Sequence, residues 1–187
     1  MKTFGIFCGG FSSEFEISIK SADTIIQNFP KEFRIVKIIV SSNGWEVDNE
    51  SNTSVFDLNT CSFNHNGESL KIDFGIVYIH GNPGENGKVQ AYLDMMKIPY
   101  LNSGVLASSL SFDKWYCNQF LKSFGIPVAK SLFVRSESEY STAQIIESLG
   151  LPVFVKPSDS GSSYGISKVK TEVEIQSALQ KSFKEGG

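Results

Sequence analysis

A lysine that leaves an apolar strand straight into a glycine- and serine-rich loop is an arrangement for handling phosphate. The stretch Leu151-Pro-Val-Phe-Val-Lys-Pro-Ser-Asp-Ser-Gly-Ser-Ser-Tyr-Gly-Ile166 has this form. Pro152 to Val155 reads as a short buried strand, Lys156 stands at its end, and Pro157 stops the ladder. The residues from Ser158 to Gly165 are then almost all small and polar. Glycines allow close backbone approach, N–H groups and hydroxyls donate hydrogen bonds, and the ammonium supplies a point charge. The order is lysine before glycines, so this is not a Walker loop. Taken alone, the loop reads equally well as a solvated connection with Lys156 snorkelling at a strand edge.

Three further residues stand where chemistry is done. Phe4 to Cys8 predicts a buried strand, Gly9-Gly10 a tight turn, and Ser13-Glu14-Phe15-Glu16 a capping box with Ser13 as N-cap. Glu14 therefore sits at a helix N-terminus that follows a strand, as either a ligand group or a partner of the helix dipole. His80 follows the continuous apolar run Phe74 to Ile79, which predicts a central strand of a parallel sheet. The carboxyl end of such a strand is where open α/β sheets bind ligands, and capping of the next helix is the alternative role for His80. Lys114 follows Asp113 inside a predicted helix, and neighbours at i,i+1 do not face each other. A local salt bridge is therefore not the obvious reason for that pair.

The elements that must carry these residues are legible in order. Ile17, Ile19, Ala22, Ile25 and Ile26 give the first helix an apolar face, ending near Pro30. Phe33 to Val40 predicts a second strand, turning at Ser42-Asn-Gly44 into Trp45-Glu-Val47. Ser62-Phe63 and Ser69 to Ile72 flank Asn66-Gly67, a hairpin signal with His65 at the turn. A helix follows from Lys88 to about Met96, then a short strand Ile98 to Leu101 and a helix from Leu106 to Phe124. Val128 to Val134 predicts a strand, Ser138 to Leu149 a helix stopped by Gly150, Ile166 to Val169 a strand, and Thr171 to about Lys184 a helix. Strand, double glycine and helix form the first half of a Rossmann-like βαβ unit. The pattern changes to a smaller α+β one near Leu101.

The composition excludes several classes. The chain has 187 residues, 41% apolar and 20% charged, with a net charge of −3 and no basic run, so a nucleic-acid surface is not expected. Apolar stretches are far short of the roughly 20 residues that span a membrane, and the N-terminus carries no signal-peptide pattern. Cys8, Cys61 and Cys117 are odd in number and widely spaced, which predicts free thiols and a cytoplasmic location.

Four blocks stand in order along the chain. They are Gly9-Gly10-x-Ser-x-Glu14-x-Glu16-x-Ser18; His80-Gly81…Gly84-Glu85-x-Gly87…Gln90; Ile98-Pro-Tyr…Ser103-Gly-Val-Leu-Ala-Ser108…Asp113-Lys114; and Val155-Lys-Pro…Gly161-Ser-Ser-x-Gly165. Together they resemble the D-alanine–D-alanine ligases of the ATP-grasp superfamily. The resemblance implies an α/β fold: a Rossmann-like (pre-ATP-grasp) parallel-sheet domain over residues 1–100, then an incomplete α+β ATP-grasp domain over 101–187. It implies ATP-dependent joining of two D-alanines through an acyl phosphate for peptidoglycan precursors, with ATP and Mg2+ required and possible homodimerisation through the N-terminal domain. Related ligases making D-alanyl-D-lactate or D-alanyl-D-serine, or a non-catalytic ligand-binding fragment, are the alternatives.

Carried onto matching positions, Glu14 would hold the ammonium of the first D-alanine and His80 would lie near that substrate. Lys114 and Lys156 would contact the ATP phosphates. Ser162 and Ser163 would lie on the loop closing over the phosphates, with Ser162 the better candidate for substrate contact and catalysis. Phe15, Asn86, Ala91 and Leu101-Asn102 depart from the family pattern without touching these residues. The resemblance also implies that the adenine-contacting strand and the magnesium ligands lie beyond Gly187. No metal ligand is therefore assigned, and residues 1–187 alone are expected to be catalytically silent.

Overall fold

In the computed structural model, residues 1–48, 53–137, 139–161 and 163–186 are described, and the chain divides into two compact units, Met1–Ser109 and Leu110–Gly187. The first unit runs β1 (Thr3–Gly9), α1 (Phe15–Gln27), β2 (Arg34–Ser41), β3 (Gly44–Asp48), β4 (Thr53–Val55), β5 (Ser62–His65), β6 (Glu68–Lys71), β7 (Phe74–Val77) and α2 (Lys88–Met95). Its main sheet has the order β4-β3-β2-β1-β7. β2, β1 and β7 are parallel, whereas β3 and β4 add antiparallel on the β2 side.

The parallel strands bury both faces, which is why they read as near-continuous apolar runs. Phe7 of β1 joins Val36, Ile38, Val40, Val77 and Leu93 on one face. Ile6 and Cys8 turn the other way and meet Ala22, Ile19 and Ile26 of α1. β7 stops at Val77 and ends the strand order instead of lying at its centre; beyond it Tyr100 makes only a single parallel bridge to Gly75. The expected strand at Ile98–Leu101 is reduced to that bridge because only Gly75 offers its backbone there, to Pro99 and Leu101. Asn66 and Gly67 both have positive φ, at 53° and 86°, the left-handed pair that turns the β5–β6 hairpin.

The second unit is smaller. The helix expected over Leu106–Phe124 is divided into α3 (Val105–Phe112) and α4 (Lys114–Ser123), because Asp113 is an N-cap whose Oδ1 accepts from the N–H groups of Trp115 and Tyr116. Val128–Val134 forms no ladder with any described residue and is not a strand, although Leu132 and Val134 pack on the core of this unit. α5 (Thr142–Leu149) starts later than expected, at a capping box between Ser141 and Gln144; Ser138 lies outside the described residues. β8 (Val153–Val155) pairs antiparallel with β9 (Ser167–Val169), and α6 (Ile175–Glu185) closes the core, bringing Ala178 and Leu179 into one cluster with Val153 and Val169. β8 is not the buried strand its composition suggested: Val153 is buried but Phe154 is 64% exposed, as a strand covered on one face requires. No helix among the described residues is long and apolar enough to cross a membrane.

Lys37, on the α1-covered face of β2, is the main electrostatic tie of the first unit. Its ammonium lies 2.8 Å from Asp23 of α1 and 2.7 Å from Asp48 of β3, with only 14% of its side chain exposed. Burial opposes its charge, but the hydrogen bonds it donates to Asp23 and Asp48 together outweigh that and raise its pKa above the ordinary lysine value. A pKa raised in the folded state gives stability that is complete below the unfolded value and lost as pH climbs through the folded one. Lys37→Met is expected to cost about 1–2 kcal/mol near neutral pH, between the values for exposed and buried pairs. Urea unfolding should show the gap to wild type narrowing above about pH 10. Equal midpoints near neutrality would remove Lys37 from the stability of the fold.

Candidate functional site

In the first unit, the exits of β1 and β7 lie at the same end of the sheet, since the two strands are parallel. Gly9 and Gly10 leave β1 with φ of 88° and 104°. A Cβ on Gly10 would stand 2.5 Å from Ile79 and 3.1 Å from the Asn82 carbonyl, so only glycine allows this close passage. The Phe11 N–H then donates to the Asn82 carbonyl at 2.8 Å.

Glu14 is the N-cap residue of α1 but gives no side-chain cap, and the capping box expected from Ser13 and Glu16 does not form. Ser13 is exposed, and the neighbouring Ser12 hydroxyl takes the Glu14 N–H at 3.2 Å, which moves the helix start one residue on. The Glu14 side chain is only 7% exposed. A carboxylate this buried at the end of a strand is not a solvated partner of the helix dipole.

His80 is half-buried, its ring edge-on to Tyr78 at 5.7 Å. It opens a loop held by its own contacts. The Gly81 N–H donates to Glu85 Oε2 at 2.7 Å, Asn86 donates to Asn82 at 2.8 Å, and buried Gln90 donates to the Gly84 carbonyl at 2.9 Å. Ser12 Oγ donates to the His80 carbonyl at 2.9 Å, so one hydroxyl touches the main chains of both Glu14 and His80. Ser18 Oγ, fully buried, accepts from the Gly9 N–H at 2.9 Å and donates to the Tyr78 carbonyl.

In the second unit, Lys114 and the glycine-serine loop come together. Lys114 Nζ donates to the carbonyls of Ser158 and Ser160, and its backbone N–H donates to Ser158 at 2.9 Å. Ser158 Oγ returns a bond to Asp113 Oδ2 at 3.2 Å, so one carboxylate caps α4 and holds the loop. The loop turns through Ser163 at φ 63° and is closed by Tyr164 N–H to Gly161 and Ile166 N–H to Ser163. Ser162 lies outside the described residues. Lys156 follows β8 with an exposed side chain.

This second set joins a cation at the start of α4 to the carbonyls of a short polar loop, while the Asp113 carboxylate takes the Trp115 and Tyr116 N–H groups there. The first set ties a residue with a buried carboxylate, Glu14, to one with a half-buried imidazole, His80, through main-chain groups that share the Ser12 hydroxyl. Sequence reasoning missed Asp113 as a cap, although an Asp ahead of a run of helix residues is an N-cap signal. It also left Ser12 and Ser18 without a role, although both stand in the first sequence block, because their carbonyl partners lie 60 or more residues away. Among the described residues, no group of three or more His, Cys, Asp or Glu is placed to hold a metal ion.

Comparisons with known proteins converge. The family described as "D-ala D-ala ligase N-terminus" matches residues 3–103, and "D-ala D-ala ligase C-terminus" matches residues 120–186. A D-alanine–D-alanine ligase of Azobacteroides pseudotrichonymphae is 40% identical over 100% of this chain and 58% of its own length. That of Phocaeicola vulgatus is 43% identical over 98% of this chain and 57% of its own. Among solved structures, D-alanyl-alanine synthetase A of Vibrio cholerae superposes with a TM-score of 0.87 at 34% identity, over 98% of this chain and 56% of that one. The VanG D-Ala:D-Ser ligase of Enterococcus faecalis gives 0.82 at 27% identity, over 99% and 60%. The chain thus spans less than two thirds of the length of these relatives.

Proposed function

Because this chain belongs to the D-alanine–D-alanine ligase family, we propose that it serves ATP-dependent joining of two D-alanines for peptidoglycan precursors. The reading gives each unit one part of that chemistry. A carboxylate resists nucleophiles and has a poor leaving group, so it must first be activated. A carboxylate oxygen of the first D-alanine attacks the γ-phosphorus of ATP and ADP leaves. The amine of the second D-alanine then attacks the acyl carbon, losing a proton, and phosphate leaves. What a protein supplies to such steps is positioning and charge.

Glu14 binds the ammonium of the first D-alanine through a charge-assisted contact, and His80 lies beside that substrate. Lys114 and Lys156 bind the ATP phosphates, and Ser162 and Ser163 belong to the loop that covers them, with Ser162 contacting substrate. ATP is the phosphoryl donor. Mg2+ accompanies it, and among the described residues no group of three or more His, Cys, Asp or Glu is placed to hold the ion. The observation that carries the reading is the buried Glu14 past the exit of β1, in a chain whose residues 3–103 and 120–186 match the N-terminal and C-terminal parts of the family.

The test is a full-length ligase in which these 187 residues replace the corresponding span of a relative. A coupled ADP assay should show D-alanine-dependent turnover, with one ADP per dipeptide. A folded chimera without turnover overturns the proposal. Preference for D-serine as second substrate would instead favour the D-Ala:D-Ser reading, which the likeness to the Enterococcus faecalis enzyme keeps in view.

A further inference from the structure

We propose that Ser12 and Ser18 are positioning residues: two hydroxyl bridges that set Glu14 and His80 in register for the first amino-acid substrate. This rests on the function proposed above and adds residues to it. Each hydroxyl does the same thing. Ser12 Oγ accepts the Glu14 N–H at 3.2 Å and donates to the His80 carbonyl at 2.9 Å. Ser18 Oγ accepts the Gly9 N–H at 2.9 Å and donates to the Tyr78 carbonyl at 2.5 Å. On one side the bridges grip the β1–α1 connection ahead of and behind its glycine turn. On the other they grip carbonyls two residues apart on the chain leaving β7.

A serine hydroxyl has one proton to give and lone pairs to accept with, so each bridge uses the group in both directions. The partners are 60 and 68 residues away along the chain, so neither bridge is a by-product of local helix or turn geometry. The β1–β7 ladder cannot do this work itself, because β7 ends at Val77 and the β1 register extends only to Phe7. Beyond those residues, the Tyr78 N–H to Phe7 and Phe11 N–H to Asn82 contacts are the main-chain links between the two segments, and the serines fill the gap between them. The Glu14 carbonyl accepts the first helical bond of α1, from the Ser18 N–H at 3.0 Å, so Glu14 is fixed at its carbonyl by the helix and at its N–H by the Ser12 hydroxyl. A carboxylate and an imidazole meant to meet one small zwitterion need that fixed spacing, since a misplacement of about 1 Å can cost about a hundredfold.

The test uses the full-length enzyme carrying this chain, and steady-state kinetics with D-alanine and ATP varied separately. Ser12→Ala, at a half-buried position, should fold and raise the first D-alanine KM roughly tenfold, with the ATP KM within about twofold. Ser12→Thr keeps the hydroxyl and should restore most of that loss. In a Glu14→Gln background, Ser12→Ala should add little, because a residue that acts through Glu14 has nothing left to place. Ser18→Ala should behave likewise; Ser18→Cys, of nearly the same size but a weaker donor, covers the case in which the alanine variant does not fold.

Unchanged D-alanine KM in a folded Ser12→Ala enzyme, or full additivity with Glu14→Gln, overturns the proposal. A loss confined to thermal stability, with kinetics intact, overturns it too. If the unsubstituted enzyme shows no D-alanine-dependent ADP release, the function itself fails; with that release present, the serine variants judge the bridges alone.

Discussion

Glu14→Gln in the full-length enzyme carrying this chain is expected to lower kcat/KM for the first D-alanine by roughly ten- to a hundredfold. The substitution keeps shape and removes charge. What is lost is a charge-assisted hydrogen bond to an ammonium, worth about 1.5–3 kcal/mol where solvent is excluded. Solvent exclusion is the decisive condition, and the 7% exposure of Glu14 meets it. Its main-chain N–H and carbonyl remain bonded to Ser12 and Ser18, so α1 should start where it does now. The two Michaelis constants for D-alanine, measured with ATP saturating, should separate: the first rises and the second does not. An unchanged kcat/KM in a folded variant would leave Glu14 as a buried N-cap residue and nothing more.

Lys156→Met and Lys114→Met should both weaken ATP binding, and for different reasons. Lys156 is an exposed ammonium at the end of β8, so its loss removes a point charge without disturbing the core around Val153 and Val169. About tenfold weaker ATP binding by calorimetry is expected, shrinking as salt screens the contact. Lys114 also holds the Ser158 and Ser160 carbonyls, so its removal frees the loop in addition to taking away the cation proposed for the phosphates. The larger loss is expected there, together with faster proteolytic nicking between Ser158 and Gly165, a change Lys156→Met should not produce. Equal affinities for wild type and Lys156→Met would make Lys156 a surface lysine.

Much of this arrangement was legible from residue order. The strand–glycine–helix start, the Asn66-Gly67 hairpin and the helix after His80 each follow from local chemistry. Local chemistry also explains the misreadings. The pattern of a hydroxyl residue followed three places later by Glu or Gln occurs at both Ser13–Glu16 and Ser141–Gln144, yet only the second forms a capping box. At the first, the Ser12 hydroxyl claims the Glu14 N–H while donating to His80, a partner that no short window can see. The split at Asp113 has the same cause, for the carboxylate that ends one helix and begins another is also bonded to Ser158. Val128–Val134 has strand-like composition, but a strand needs a ladder partner as well as apolar residues, and none of the described residues supplies one. The two serine bridges were the least visible, since a serine near a glycine turn looks like ordinary loop chemistry.

The neutrality of those serines has a consequence for the conditions in which the site keeps its shape. Neither hydroxyl titrates in the physiological range, and a bond between a hydroxyl and a peptide group is little affected by dissolved ions. The Lys37 cluster with Asp23 and Asp48, by contrast, depends on charges whose partners are 44% and 37% exposed. Ionic strength therefore acts on the Lys37 cluster, while the bonds by which Ser12 and Ser18 tie the β1–α1 connection to the chain leaving β7 stay as they are. Charge and geometry are decoupled in this unit, and only the first is left for the surroundings to tune.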